Sequence, residues 1–251
     1  MKFIGQSKIR NELGFLMDDF KQDNNYSILL SAPSGMGKTT LGYLFLAHSN
    51  SSYHIVIPNE EFVSLDLSKR IQMVDEVHLL RNPEILYPLM DSREHSFVFT
   101  TNEIYSLKEP LVNRCIAFTF EQYNNSELLE MVNFFSEKKL PENIVQYVAD
   151  ISGGIPRILK NLCIRLNYIT RYMVNPNYMN IISEVMNIRD GLTELERRYI
   201  DFINRAGGKA SIDSITNGTR LEKAFVLREI EPRLVYLGLV KITSKGRELC
   251  L

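Results

Sequence analysis

The stretch Ala32-Pro33-Ser34-Gly35-Met36-Gly37-Lys38-Thr39 decides how this chain folds. It follows a short apolar run, Tyr26-Ser27-Ile28-Leu29-Leu30-Ser31, and precedes Thr40 to Ala47, which is apolar all round. Strand, glycine-rich turn and buried helix in that order predict a P-loop. In such a loop backbone N–H groups point at phosphates, and the helix N-terminus adds partial positive charge. The lysine meets the β/γ oxygens and the hydroxyl takes Mg²⁺. Gly35, Met36, Gly37, Lys38, Thr39 and Thr40 are therefore expected to hold ATP, with Thr39 on the metal. Only Ala32 departs from the usual pattern, standing where glycine is usual.

Working outward, Asn11 to Phe20 has apolar residues at helical spacing, and Asp23-Asn24-Asn25 breaks it. Three more strand candidates follow: Ile55 to Ile57, Arg70 to Val74 ending at Asp75-Glu76, and Ser96 to Thr100 ending at Thr101-Asn102. Strands alternating with helical stretches predict an α/β parallel sheet with helices on both faces. Ligands of such sheets collect at the carboxyl ends of strands. Asp75 is expected to hold Mg²⁺, and Glu76 to polarise the attacking water as general base. Asn102 is placed to hydrogen-bond the γ-phosphate or the water. A solvated acid pair and a surface-turn asparagine are the bland alternatives. Gln72 interrupts an otherwise apolar strand. Arg114 and Arg157 are candidates for stabilising phosphoryl charge.

From Ser126 the pattern turns all-helical: Ser126 to Lys138, Pro141 to Ile151, Pro156 to Tyr172 and Tyr178 to Met186. Thr193, with Glu196 three residues on, signals a capping box and a new unit. That unit reads as a helix (Glu194 to Arg205), a short helix near Asp213 to Ile215, and a longer one (Leu221 to Leu237) stopped by Gly238. Leu239 to Thr243 and Arg247 to Leu251 are expected to pair across Ser244-Lys245-Gly246. Three helices and a hairpin make a winged helix. The expected domains are 1–122 (nucleotide-binding), 123–188 (helical lid) and 189–251 (winged helix).

The 251 residues carry a net charge of −1, which excludes a global basic field. Gly191 to Leu251 holds 11 Lys/Arg against 8 Asp/Glu, so only the C-terminal segment is mildly basic. Lys245 and Arg247 on the wing are the candidates for gripping DNA phosphates; a solvated turn is the alternative. Cys115, Cys163 and Cys250 share no metal-ligand spacing and read as free thiols. No signal pattern or membrane-spanning apolar run is visible, so no membrane partner and a cytoplasmic location are expected.

These motifs together resemble the AAA+ ATPases, and among them the RuvB family of Holliday-junction branch-migration motors. Phe3-Ile4-Gly5-Gln6 resembles the segment that packs on adenine, which assigns Ile4 to the base. Val74 to Leu79 resembles the Walker B strand, Thr101-Asn102 falls at sensor 1, and Gly154-Ile155-Pro156-Arg157 at sensor 2. Pro110 to Arg114 falls at the arginine finger. The runs Gly191 to Tyr199 and Ile230 to Leu239 resemble the family's winged helix. The resemblance implies an oligomer, a ring or spiral such as a hexamer, in which Arg114 reaches the neighbouring subunit's ATP and turnover is coupled to DNA remodelling. Two departures stand out. The family carries a long hairpin between Walker B and sensor 1 that docks RuvA, and here Met90-Asp91-Ser92 runs almost directly into Arg93 to Phe97. Asn102 and Asn113-Arg114-Cys115 resemble clamp-loader subunits more closely. An alternative is therefore an ATP-switched loader, homo-oligomeric or combined with related subunits, that places a helicase or sliding clamp on DNA. The two-domain helicases that share a similar loop need a second RecA-like domain, which the all-helical run after Glu121 does not supply.

Overall fold

The computed structural model describes residues 2–20, 24–59 and 63–250. Internal contacts divide the chain into two units, Met1–Gln122 and Tyr123–Leu251.

In the first unit the apolar runs become the strands of one sheet. Helix α1 (Ser7–Phe20) leads to β1 (Ser27–Ser31), and the glycine-rich turn leads to α2 (Lys38–His48). Asp23 lies outside the described residues; Asn24 and Asn25 lie in the loop before β1. Strands β2 (Tyr53–Val56) and β3 (Ile71–Val74) follow. Between β3 and the next strand the chain runs only through short turns at Val77–Leu79 and Pro83–Leu86 and helix α3 (Tyr87–Ser92). Then come β4 (Ser96–Thr101), α4 (Glu109–Val112) and β5 (Ile116–Thr119). The sheet order is β2-β3-β4-β1-β5, and every pair is parallel. Strand β5 was not expected. It is an edge strand with Phe118 its one buried residue, although Ile116-Ala117-Phe118 is apolar in sequence.

Register decides where the chemistry sits. Ser31 lies opposite Thr101, and Val74 opposite Phe99, so the strands end in line. Beneath that edge Leu29, Val74, Val77, Phe97 and Phe99 form the core, with the two phenylalanine rings stacked at 5.4 Å. Gln72 is wholly buried in β3 and fully used. Its Nε2 donates to the carbonyls of Asp66 (2.7 Å) and Lys69 (2.9 Å), and its Oε1 accepts from Asp66 N at 3.3 Å. The polar interruption thus fastens the loop before β3.

The second unit begins with α5 (Asn125–Phe135), capped by Asn124 and Glu127 in a reciprocal box, followed by α6 (Glu142–Ile151) and α7 (Pro156–Thr170). Next is α8 (Tyr178–Asn180), which widens at once into a π turn, Ile181–Val185. Helix α9 (Glu194–Arg205) carries the expected capping box of Thr193 and Glu196. Strand β6 (Lys209–Ala210), α10 (Ile212–Thr219), α11 (Lys223–Phe225) and α12 (Glu231–Tyr236) precede β7 (Val240–Thr243) and β8 (Gly246–Leu249). The single helix expected over Leu221 to Leu237 is broken by a π turn at Val226–Ile230. Pro232 has no N–H and its ring crowds the carbonyl four residues back, so regular α bonding fails there. The expected hairpin is a three-stranded antiparallel sheet, β6-β8-β7, with β6 too short to announce itself. Leu251, expected at its end, lies outside the described residues.

Cys115, Cys163 and Cys250 are free thiols; burial pushes Cys115 up to about 12 and Cys163 up to about 11. Among the described residues no helix is long and apolar enough to cross a membrane.

Candidate nucleotide site

The turn between β1 and α2 is built on two glycines in the left-handed region, Gly35 (φ 81°) and Gly37 (φ 96°). Side chains are disfavoured there, and successive amides in such turns make anion-binding concavities. Ala32 has no positive φ, so the methyl group at this position meets no backbone penalty. It continues the sheet edge instead, its N–H donating to Thr101 O at 3.2 Å. Lys38 is buried. Its Nζ donates to the carbonyls of Ala32 (2.8 Å) and Pro33 (3.1 Å), folding the ammonium over its own loop.

Asp75 is the hub of the site. Its Oδ1 accepts from Thr39 Oγ1 at 2.8 Å and from Thr100 Oγ1 at 2.5 Å. Thr100 in turn accepts from the Glu76 amide at 2.9 Å. Three elements, the start of α2, the end of β3 and the end of β4, are thereby locked around one carboxylate. Thr100 was not singled out from the sequence. The available signal was register, since Val74 pairs with Phe99 and the next residues are Asp75 and Thr100.

Glu76 takes a left-handed backbone, φ 58° and ψ 49°, which costs about 1–2 kcal/mol for a residue with a side chain. Its Oε2 lies 3.4 Å from His78 Nδ1. Asn102 stands just past β4, and its Oδ1 is buried with no hydrogen-bond partner. An orphan acceptor at the mouth of a phosphate loop is a group waiting for a donor.

Arg114 is engaged within its own subunit. Its Nε and Nη2 donate to Asp91 at 2.9 and 3.1 Å, Nη1 donates to Pro110 O, and the guanidinium lies 4.6 Å from the Tyr87 ring centroid. The pair holds the Asp91 carboxyl below its usual range. Both partners are solvent-accessible, so water screens the pair and leaves it free to exchange for another partner. Ile4 is buried, and the segment around it is clasped by Gln6, whose amide bonds Glu121 N and O at the exit of β5. Arg157 is the second residue of α7 in the other unit and is exposed.

The two wing candidates separate. Lys245 is exposed in the turn between β7 and β8. Arg247 is turned inward, against its expected outward role. Its Nε and Nη2 donate to Glu231 at 2.8 and 3.1 Å, and its side chain is 15% exposed. Glu231 is buried and also accepts from Tyr199 Oη at 2.8 Å, so it needs that cation. A second buried pair went unnoticed in the sequence. Arg233 meets Glu196 at 2.5 Å, donates to Ile151 O at 2.7 Å and also bonds Gly191 O.

Residues 189–250 match the RuvB C-terminal winged helix domain. Along the whole length the chain is similar to the Holliday junction branch migration complex subunit RuvB of Prochlorococcus marinus (strain MIT 9301), at 27% identity over 99% of this chain and 83% of the relative. The RuvB subunit of Mycoplasma genitalium is 22% identical over 98% of this chain and 92% of its own. The solved Thermotoga maritima RuvB branch migration motor superposes with a TM-score of 0.83 at 23% identity, covering 99% of this chain and 93% of that one. The parallel sheet, the glycine-rich phosphate-loop turn and the winged helix agree with this likeness, so the chain has the α/β fold of the RuvB-type AAA+ proteins and is similar to them along its whole length.

Proposed function

We propose that this protein binds ATP–Mg²⁺ at the Asp75 hub, hydrolyses it within an oligomer, and couples turnover to DNA remodelling in recombination. The observation that carries the reading is the 2.8 Å bond from Thr39 to Asp75, which joins the P-loop to the strand end bearing Glu76. The residues present fit the group. Lys38 donates to carbonyls of its own loop, which phosphate oxygens replace at a gain in charge. Thr39 and Asp75 hold Mg²⁺, which supplies neutralisation of the phosphate charge when bound. Gly35, Met36, Gly37 and Thr40 complete the cradle and Ile4 packs on the base. Glu76 takes the proton of the attacking water, and Asn102 Oδ1 accepts from that water. Arg114, released from Asp91, completes the neighbouring subunit's site, and Arg157 acts from the lid. The division of labour follows 1–122, 123–188 and 189–251, with Lys245 touching DNA phosphate.

A second reading, an ATP-switched loader of a replicative helicase or sliding clamp, is favoured by one observation. The passage from β3 to β4 has room only for short turns and α3, with no docking hairpin.

Nucleotide binding, turnover and migration of a synthetic four-way junction, measured on the full chain, test both. Lys38→Ala is expected to lose nucleotide. Glu76→Gln is expected to retain ATP while turnover drops about 10²- to 10³-fold. Equal turnover for wild type and Glu76→Gln removes Glu76 as the base. Full-rate hydrolysis by a monomer overturns the shared site, and junction migration without any partner removes the support for the loader.

A further inference from the structure

His78 lies two residues beyond Glu76, in the middle of the turn Val77–Leu79. On a regular helix residues i and i+2 point apart. Here the left-handed backbone at Glu76 folds its carboxylate back, bringing Oε2 within 3.4 Å of His78 Nδ1. The same nitrogen lies 3.3 Å from Oγ1 of Thr101, the residue before Asn102. The imidazole is 10% exposed, so water competes poorly for it.

One ring nitrogen carries either a proton or a lone pair. With the proton, Nδ1 is an electrostatic partner for Glu76 Oε2 at 3.4 Å. With the lone pair, it accepts the hydroxyl of Thr101, whose oxygen already accepts from Glu103 N at 3.0 Å. The two contacts compete for the one nitrogen. The hold on the carboxylate is thus conditional on what the end of β4 is doing.

We propose that His78 is a positioning residue for Glu76, holding the carboxylate of the base and linking its orientation through Thr101 to the strand end that carries Asn102. The proposal rests on Glu76 acting as the base. Both contacts lie on the base and the strand end, so loss of the imidazole shows in kcat and not in ATP affinity.

The test is single-turnover and steady-state hydrolysis by the full chain with DNA, beside ATP binding by titration, for wild type, Glu76→Gln, His78→Phe and His78→Asn. His78→Phe keeps the volume and loses the nitrogen; kcat is expected to fall about tenfold, part of the contribution of a positioned base, with ATP affinity unchanged within about twofold. His78→Asn places an amide near the position of Nδ1 and is expected to recover to within about threefold of wild type. If His78→Phe does not fold, His78→Gln, whose amide reaches the Nε2 position instead, stands in its place against His78→Asn. Wild-type kcat in His78→Phe, equal rates for Asn and Phe (or Gln), or a parallel loss of ATP affinity overturns the proposal. If those results come with a Glu76→Gln block, only His78 loses its role. Wild-type turnover in Glu76→Gln removes the base and the positioning residue together.

Discussion

The mouth of the P-loop and the buried network of the second unit use polar groups in opposite ways. At the P-loop, partners are few and replaceable: Lys38 leans on loop carbonyls, Asn102 Oδ1 has none, and Arg114 rests on an exposed aspartate. In the second unit, charges are buried and paired with opposite charge: Arg233 meets Glu196 and two carbonyls, while Glu231 takes both Tyr199 and Arg247. Burial against Glu231 drives the Tyr199 phenol far above its ordinary value, so it stays a donor. Both regions hold ion pairs, but only the first holds them loosely enough to trade for a ligand. Exposed or exchangeable partners mark the place where a substrate enters, and buried charge pairs mark where the fold is held.

That contrast is open to direct attack. The largest effect is expected at the buried end. Arg233→Ala strands Glu196 in the interior and is expected to destabilise the second unit by about 3–5 kcal/mol in urea unfolding of the full chain. A loss under about 1 kcal/mol would show that the network is not what holds that unit. At the open end Asn102→Ala removes an unpaired oxygen, so the melting temperature is expected to hold while kcat falls about 10- to 100-fold. A drop in stability matching the drop in rate would place Asn102 with the structural group. The smallest effect concerns the wing. Lys245→Ala is expected to lower the slope of log affinity against log salt by about one, and to weaken DNA binding evenly across sequences. Arg247→Ala is expected instead to lower stability, since it uncovers Glu231. A salt slope that responds to Arg247 and not to Lys245 reverses the assignment made from the structure.

Much of this was legible in the sequence wherever chemistry and pattern coincide. The loop from Ala32 to Thr39, the acid pair Asp75-Glu76 and the capping box at Thr193 all combine a residue type with a spacing, and each is found as a local structure. What stayed hidden depends on register and on facing elements. Thr100 reaches Asp75 because β3 and β4 align one residue past Val74, which no single strand discloses. His78 meets Glu76 only because the backbone between them turns left-handed. Arg247 was placed outward by its type, yet a buried glutamate sixteen residues earlier claims it. Strand β5 was overlooked although Ile116-Ala117-Phe118 is apolar; it is a four-residue edge strand with three residues exposed.

One joint described above has a mechanical side. The glycine turn just before α7 lies against α12: a methyl group added at Gly154 would sit 2.5 Å from the Tyr236 ring, and one at Gly153 would sit 2.7 Å from the Arg233 side chain. The same Arg233 grips Ile151 O just upstream of that turn. Helix α7, which begins with Pro156 and Arg157, therefore shares a seam with the winged helix that has no slack to take up. A seam like this behaves as a weld and not as a hinge. The root of α7 and α12 are thus held together by backbone and side-chain contacts that leave no room for even a methyl group.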